Sequence, residues 1–345
     1  MSIADQSHAR QNALTGEWVL VSPNRLKRPW QGQDEAVADE SLPKYDPACY
    51  LCPGNKRANG NANPYYAGPF AFENDFPSLS AASDIGESNA PFFATRDEAG
   101  LCRVICYTER HDLRLATMNT EQLVVALDAM IAQFSELDSL EGTGYVQLFE
   151  NRGEMMGCSN PHPHAQVWAT THVPSEPAKE LQSQLLYYQE NRRSLLQDYL
   201  DAELKDGRRT VTENEHCVAL VPYWAVWPFE TMLMPRRAVA APNELTAEEV
   251  GGLAGILGSV LAGYDALFSC SAPYSMGFHA RPSDGKAHPE WQLHIHVYPP
   301  LLRSATVRKH LVGFEMLGMP QRDFTAEDAA ARLQSAVPER EYLRE

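Results

Sequence analysis

Apolar residues first recur at helical spacing between 120 and 134. Leu123, Leu127, Met130, Ile131 and Phe134 share one face, and Thr120 is the candidate cap. Strand-like runs flank this helix. EWVLVS (17–22) and RVICY (103–107) precede it, and GYVQLFE (144–150) and AQVWATT (165–171) follow. Residues 31–100, rich in Pro, Asn, Asp and Gly, read as mostly irregular. A long polar helix is predicted over about 177–204.

The order then repeats. TMLMP (231–235) reads as a strand, and Thr246 with Glu249 forms a capping box. Val250, Leu253, Ile256, Leu257, Val260, Leu261 and Tyr264 make an amphipathic helix. YSMGFHA (274–280) is strand-like again. EWQLHIHVY (290–298) alternates, with Gln292, His294, His296 and Tyr298 on one face and Trp291, Leu293, Ile295 and Val297 on the other. Strand, helix, strand and His-bearing strand thus occur twice, offset by about 130 residues, which reads as an internal duplication. Two antiparallel-sheet modules side by side, flanked by helices, make an α+β fold. The halves are expected at 1–175 and 176–345.

Length and composition allow a real core: 345 residues, 44% of them hydrophobic. The formal net charge of −16 argues against wrapping nucleic acid. It leaves open a phosphate-bearing small molecule, which needs only a few local donors. No stretch reads as a membrane span, which needs about 20 apolar residues. The first residues lack the apolar region of a secretion signal. Seven cysteines, an odd number, argue against a disulfide framework. The expected setting is cytoplasmic, with reduced thiols.

Candidate chemistry concentrates in two clusters. CYLC (49–52) is a CxxC in Pro-rich irregular sequence, which suits a metal knuckle better than a redox pair. No second CxxC exists, so the other ligands of a four-coordinate ion must come from elsewhere, and histidine is the obvious supplier; His111 and His162 are the candidates. Alone, His111 would read as a surface-loop residue. In the other half, His294 and His296 share a strand face and His279 lies on a strand that could adjoin it. Three imidazoles and one carboxylate would suit iron or zinc. Periodicity does not identify the carboxylate.

GCSNPHPHAQVW (157–168) places His164, Gln166 and Trp168 on one strand face, with Ala165 and Val167 buried on the other. Pro161 and Pro163 restrict the backbone around His162, so the two histidines are free to do different work. His162 is assigned to metal and His164 to chemistry. A neutral imidazole attacks phosphorus with one nitrogen while an acceptor, such as a nearby backbone carbonyl, holds the other N–H. Gln166 can donate to a phosphoryl oxygen but cannot act as a general acid. That suits an enzyme that keeps a covalent intermediate for a second substrate rather than losing it to water.

This motif resembles the active-site motif of the class I galactose-1-phosphate uridylyltransferases, within the histidine-triad superfamily. The resemblance runs nearly end to end, through LTGEWVLVSPNRLKRPWQGQ, CYLCPGN, FENDFP, FENRGEMMGCSNPHPHAQVWA, VPYWAVWPFETMLMP, PYSMGFHARP and WQLHIHVYPPLLRSATVRKHLVGFEML. Departures are the block HPE before Trp291, Ala165 where Gly is common, His310 where Phe is frequent, and Phe314 where Tyr is frequent. The last removes a hydroxyl.

The resemblance implies duplicated histidine-triad-like modules and a ping-pong exchange. His164 would take UMP from UDP-glucose, release glucose 1-phosphate, and pass UMP to galactose 1-phosphate. Zinc would be held by Cys49, Cys52, His111 and His162. Iron, or a second zinc, would be held by Glu180, His279, His294 and His296. Both metals would be structural. Substrate contacts implied are Asn74, Asp75, Asn151, Gly157, Cys158, Ser159, Gln166, Lys309, His310, Phe314, Glu315 and Gln321. Arg25 and Arg28 would reach the partner's active site in a homodimer. Two other readings stay open: a related histidine-triad hydrolase or phosphorylase, and a metal-stabilised binding protein without turnover.

Overall fold

The computed structural model describes residues 6–23, 42–158 and 160–338. Nine strands form one antiparallel sheet. In chain order they are β3 (Phe70–Glu73), β4 (Gly100–Cys106), β5 (Tyr145–Arg152), β6 (His164–Thr170), β7 (Thr210–Glu213), β8 (Cys217–Leu220), β9 (Thr231–Pro235), β10 (Tyr274–His279) and β11 (His294–Tyr298). Their spatial order is β3-β4-β6-β5-β10-β11-β9-β8-β7. Outward from the β5/β10 seam the two sides have the same plan: β5, β6, β4, β3 on one and β10, β11, β9, β8 on the other. Helix α1 (Thr120–Asp138) connects β4 to β5, and α4 (Ala247–Phe268) connects β9 to β10. The duplicated α+β modules expected from the sequence are therefore present, joined into a continuous sheet.

Register decides what shares a face. Gln166 lies opposite Phe149, Phe149 opposite Gly277, and Gly277 opposite His296. The two-residue period carries His164, Trp168, Asn151, Ser275, His279 and His294 onto the same face. The other face is apolar. Val146, Leu148, Val167, Ala169, Met276, Phe278, Ile295 and Val297 pack there with Leu123, Leu127, Met130 and Phe134 of α1 and Leu253, Leu257 and Val260 of α4. This layer is the main core. At roughly 1.5–3 kcal/mol per buried large apolar side chain, it dominates stability.

A smaller sheet pairs β1 (His8–Gln11), β2 (Trp18–Val21) and β12 (Gln321–Arg322), so it joins the two ends of the described chain. Helices α2 (Ser175–Asn191), α3 (Leu195–Asp206), the short α5 (Phe314–Leu317) and α6 (Ala326–Ala336) complete the set.

Several expectations need correction. The cap of α1 is Asn119, not Thr120: Asn119 is extended, its Oδ1 accepts from Gln122 N at 2.9 Å, and Gln122 Oε1 accepts from Asn119 N at 3.1 Å. The predicted 177–204 helix is two helices, because Arg192 turns left-handed at φ 56°. The break lets Leu195, Leu196 and Leu200 of α3 face Trp224, Met232 and Met234, a surface that one straight helix could not cover. EWQLHIHVY is a strand only from His294, since the backbone N–H groups of Gln292 and Leu293 bond instead to Gln184 Oε1 and Val239 O. Helix α4 is long and apolar enough to cross a membrane, contrary to the expectation that no stretch is. It is a core helix with most of its length buried. The segment read as mostly irregular is so among the described residues, with β3 inside it.

An ion network ties β1, α3 and α6 together. Arg209 reaches Glu203 at 2.8 Å, Glu327 at 2.6 Å and Asp206 at 3.0 Å, and Arg10 reaches Glu327 at 2.9 Å. Glu203, Arg209 and Arg10 are buried. Arg209→Met strands the Glu203 carboxylate and is expected to cost about 3–5 kcal/mol in a denaturant titration. Burial would raise the Glu327 carboxyl, but hydrogen bonds from Arg10 and Arg209 hold it down to about 2, against 4.5 when free. A depressed folded value means that the unfolded chain binds more protons across that window. The contribution of Glu327 is therefore complete above about pH 4.5 and lost as pH falls towards about 2. In acid-unfolding curves, Glu327→Gln should flatten stability against pH over that range.

Candidate active site

The nucleophile candidate opens β6. Its approach is fixed by the preceding turn, where Gly157 has φ +75°, a conformation that side-chain-bearing residues rarely adopt. Asn160 Oδ1 then accepts from His162 N at 2.9 Å, and Arg152 Nη1 donates to the Pro161 carbonyl at 2.9 Å. The chain arrives at His164 with its carbonyls already aimed. His164 Nδ1 lies 2.8 Å from His162 O. A carbonyl only accepts, so the proton sits on Nδ1 and Nε2 keeps its lone pair. Burial, reinforced by the charge of Arg152, lowers the His164 pKa against the opposing pull of that hydrogen bond, so the ring is neutral.

Gln166 lies on the same half-buried face, and its Oε1 accepts from Trp168 Nε1 at 3.2 Å. Asn151, at the end of β5, has its Oδ1 held by Ser275 Oγ at 2.6 Å. Cys158 N donates to Gly153 O, and its thiol to Asn160 O. Asn74 Oδ1 accepts from Phe76 N at 3.0 Å, and Asp75 is met by Asn59 at 2.6 Å and by Arg57.

Lys309, Glu315 and Gln321 come together elsewhere, beside the small sheet. Lys309 Nζ lies 3.1 Å from Glu315, 3.2 Å from Asp323 and 3.5 Å from Gln321. Asp323 is the member of this group that sequence reasoning missed; its only sequence signal is a carboxylate two residues after Gln321. His310 and Phe314 are exposed. Arg25, Arg28 and Ser159 lie outside the described residues.

Two clusters could hold metal ions. Cys49, Cys52, His111 and His162 are all buried, with donor atoms within 4.8 Å of one another. Cys52 Sγ is 3.5 Å from Nδ1 of both histidines. A tetrahedral ion with bonds of about 2.3 Å to sulfur and about 2.05 Å to nitrogen needs an S···N edge near 3.6 Å, so the residues fit. His162 Nε2 faces Thr108 O and Tyr66 Oη, each at 3.1 Å, which leaves Nδ1 for the ion. Burial pushes the Cys52 thiol up to about 12 and His162 down to about 4. A thiolate there needs a cation beside it.

The second cluster is Glu180, His279, His294 and His296. Helix α2 lowers Glu180 onto the sheet face, with Oε2 2.9 Å from His279 Nδ1 and 3.3 Å from His294 Nε2. Burial alone would raise Glu180, yet the facing imidazoles hold it well below the carboxylate range. His294 Nε2 and both nitrogens of His296 are buried without a hydrogen-bond partner, so each ring has a nitrogen free to ligate. His294 Nδ1 is fixed by Gln292 O at 2.8 Å, the same contact that fixes His164. Three histidines and a carboxylate thus come together here, with donor atoms within 4.8 Å of one another.

Duplicated histidine-triad-like modules, a neutral strand-borne imidazole beside an amide, and two metal-ligand clusters define a nucleotidyltransferase of the histidine-triad superfamily. Comparison with known proteins makes the assignment particular. The family described as galactose-1-phosphate uridyl transferase matches over residues 1–174 with its N-terminal domain and 180–344 with its C-terminal domain. Galactose-1-phosphate uridylyltransferase of Haemophilus influenzae is 49% identical over 334 residues, 96% of this chain and 95% of that protein. The Rattus norvegicus enzyme is 47% identical, covering 98% and 90%. A solved uridylyltransferase structure superposes with a TM-score of 0.74 at 25% identity, covering 96% and 98%. The chain belongs to the galactose-1-phosphate uridylyltransferase family.

Elemental analysis of purified protein is expected to find metal at both clusters, with Cys52→Ser emptying one and Glu180→Gln weakening the other. Stripping the first cluster should lower the melting temperature by roughly 5–10 °C. Equal melting with and without metal would refute a structural role.

Proposed function

We propose that the chain carries UMP from UDP-glucose to galactose 1-phosphate in two displacements on His164. Nε2 attacks the α-phosphorus, a P–N bond forms, and the bond to the bridging oxygen breaks. Glucose 1-phosphate leaves with that electron pair. The phosphate leaving group is already a weak base, so no general acid is required, which fits Gln166 in place of a histidine. The cationic ring of the intermediate is stabilised by the His162 carbonyl at Nδ1–H. A phosphate oxygen of galactose 1-phosphate then attacks, the P–N bond breaks, and the ring returns neutral. The observation carrying this reading is the 2.8 Å contact of His164 Nδ1 with His162 O, which bares Nε2 on the face shared with Gln166.

Asn151, Gly157 and Cys158 would receive the nucleotide from β5 and the turn before β6, Asn74 and Asp75 from the segment after β3, and Ser159, outside the described residues, would join them. Cys49, Cys52, His111 and His162 would hold zinc, a cation that screens buried thiolates and anchors His162. Glu180, His279, His294 and His296 would hold iron or a second zinc. Residues 1–175 would form the half with the nucleophile, and 176–345 the half with the second metal.

A homodimer would complete the site, with Lys309, His310, Phe314, Glu315 and Gln321, together with Arg25 and Arg28, supplied to a neighbouring copy. Two apolar segments support this. Phe76, Phe92 and Phe93 follow Asn74 and Asp75, while Phe314, Met316 and Leu317 follow Lys309, and all six are more than half exposed. Such surface is costly to leave in water, and each segment adjoins expected substrate contacts. The seven free thiols suit a cytoplasmic setting.

After exposure to UDP-glucose, mass spectrometry should find a UMP adduct on His164, labile in acid and stable in base. His164→Ala should abolish exchange while nucleotide still binds, and free imidazole should partly restore His164→Gly. Steady UMP release without a sugar phosphate would instead indicate a hydrolase, and an unmodified chain a binding protein.

A further inference from the structure

Gln166 and Asn151 are primary amides on the nucleophile's face, and each could turn either its oxygen or its NH2 towards a ligand. Only the NH2 serves a phosphoryl group. The group behind each amide decides which is presented. Behind Gln166, Trp168 Nε1 lies 3.2 Å from Oε1. An indole N–H donates and never accepts, so a flipped amide would oppose two donors. The amide oxygen is therefore held back and both hydrogens are left for the ligand. Trp168 is itself held edge-on by Phe149, with ring centroids 5.4 Å apart at 80°, and Phe149 is the register partner of Gln166. Behind Asn151, the Ser275 hydroxyl is 2.6 Å from Oδ1, and these two residues are register partners across the β5/β10 seam. Ser275 belongs to the C-terminal module, so one module orients a donor in the active site of the other.

We propose that Trp168 and Ser275 are positioning residues for uridylyl transfer, each donating to an active-site amide oxygen so that the amide N–H groups face the phosphoryl oxygens. The proposal rests on the reading above, in which Gln166 donates to a phosphoryl oxygen and Asn151 receives the nucleotide, and it takes the Asn151 contact to be with the phosphate. Neither Trp168 nor Ser275 touches substrate. Trp168 removes the half of Gln166's orientations that would set an oxygen against a negatively charged phosphoryl group, and Ser275, whose hydroxyl could serve either orientation, holds Asn151 with Oδ1 turned back by donating to it. Because charge on those oxygens shifts as phosphorus changes partners, the effect belongs mainly in kcat rather than in KM for UDP-glucose.

The test is the single-turnover rate of UMP transfer to His164 from UDP-glucose. Trp168→Phe keeps a ring against Phe149 and removes the donor; Ser275→Ala removes the hydroxyl and Ser275→Thr keeps it. Trp168→Phe and Ser275→Ala should each slow adduct formation roughly tenfold with little change in melting temperature, while Ser275→Thr stays near wild type. In a Gln166→Ala background Trp168→Phe should cost nothing further, and Ser275→Ala likewise in Asn151→Ala. A loss that persists undiminished in those backgrounds would show a packing role and overturn the proposal, as would a Ser275→Ala enzyme as fast as wild type. Should Trp168→Phe fail to fold, the Ser275 series decides alone. A wild-type enzyme that never acquires UMP would overturn the functional reading itself, a result distinct from any failure confined to the variants.

Discussion

One hydrogen bond organises this site: His164 Nδ1–H to the carbonyl of His162. It selects the tautomer, fixes the ring plane and leaves Nε2 bare. It can do so only because the acceptor is itself immobile. The N–H of His162 is held by Asn160, and its side chain belongs to a buried group of four metal-ligand residues. Backbone and side chain of a single residue thus connect the first metal-ligand cluster to the His164 ring. The same contact serves His294 with Gln292 O, but there Glu180 sits over the ring. Duplication places equivalent imidazoles at equivalent starts of β6 and β11. The flanking residues separate their roles. His162 and Gln166 surround one ring, while Gln292 and His296 surround the other. One ring faces an amide that can donate to phosphate; the other faces further ligands.

The sheet carries these differences because it has no interruption at its seam. β5 and β10 pair as ordinary antiparallel neighbours, so the active-site row and the second ligand cluster lie on one face while the opposite face is sealed by α1 and α4. Hydrogen bonds cross that seam on both faces. Ser275 meets Asn151 on the polar side. On the other, Glu150 accepts from Tyr107 at 2.7 Å and from Tyr274 at 3.1 Å. Burial lifts the Glu150 carboxyl to about 7 despite these donors. Tyr107 leads into the segment that carries His111, so the seam, the first metal-ligand cluster and the end of β5 are braced together.

Charge is handled locally. The chain is strongly acidic, yet burial keeps the His164 imidazole neutral, and cations gather in paired sets such as Arg10 and Arg209 on Glu327 and Lys309 with its carboxylates. On the proposed reading, an anionic substrate would be met by a few local donors such as the Gln166 amide rather than by a broad basic surface.

The sequence by itself determined the elements with strong periodicity and the residues whose chemistry depends on local spacing. Alternation in AQVW put His164 and Gln166 on one face, and the apolar repeats placed α1 and α4, because both signals arise within a few residues of chain. The acceptor for His164 was also foreseeable, being two residues away. Short or context-dependent elements escaped. β3, β7, β8 and β12 have four residues or fewer, too short for alternation to mark; β3 and β12 are besides held by partners distant in the chain, and the break at Arg192 answers to the packing of α3 rather than to propensity. Only the tertiary structure decided that the modules share one sheet, that Glu180 descends from α2 onto three strand histidines, and that Ser275 backs Asn151. Those are register and layer-packing outcomes, set by contacts between segments that local pattern leaves independent.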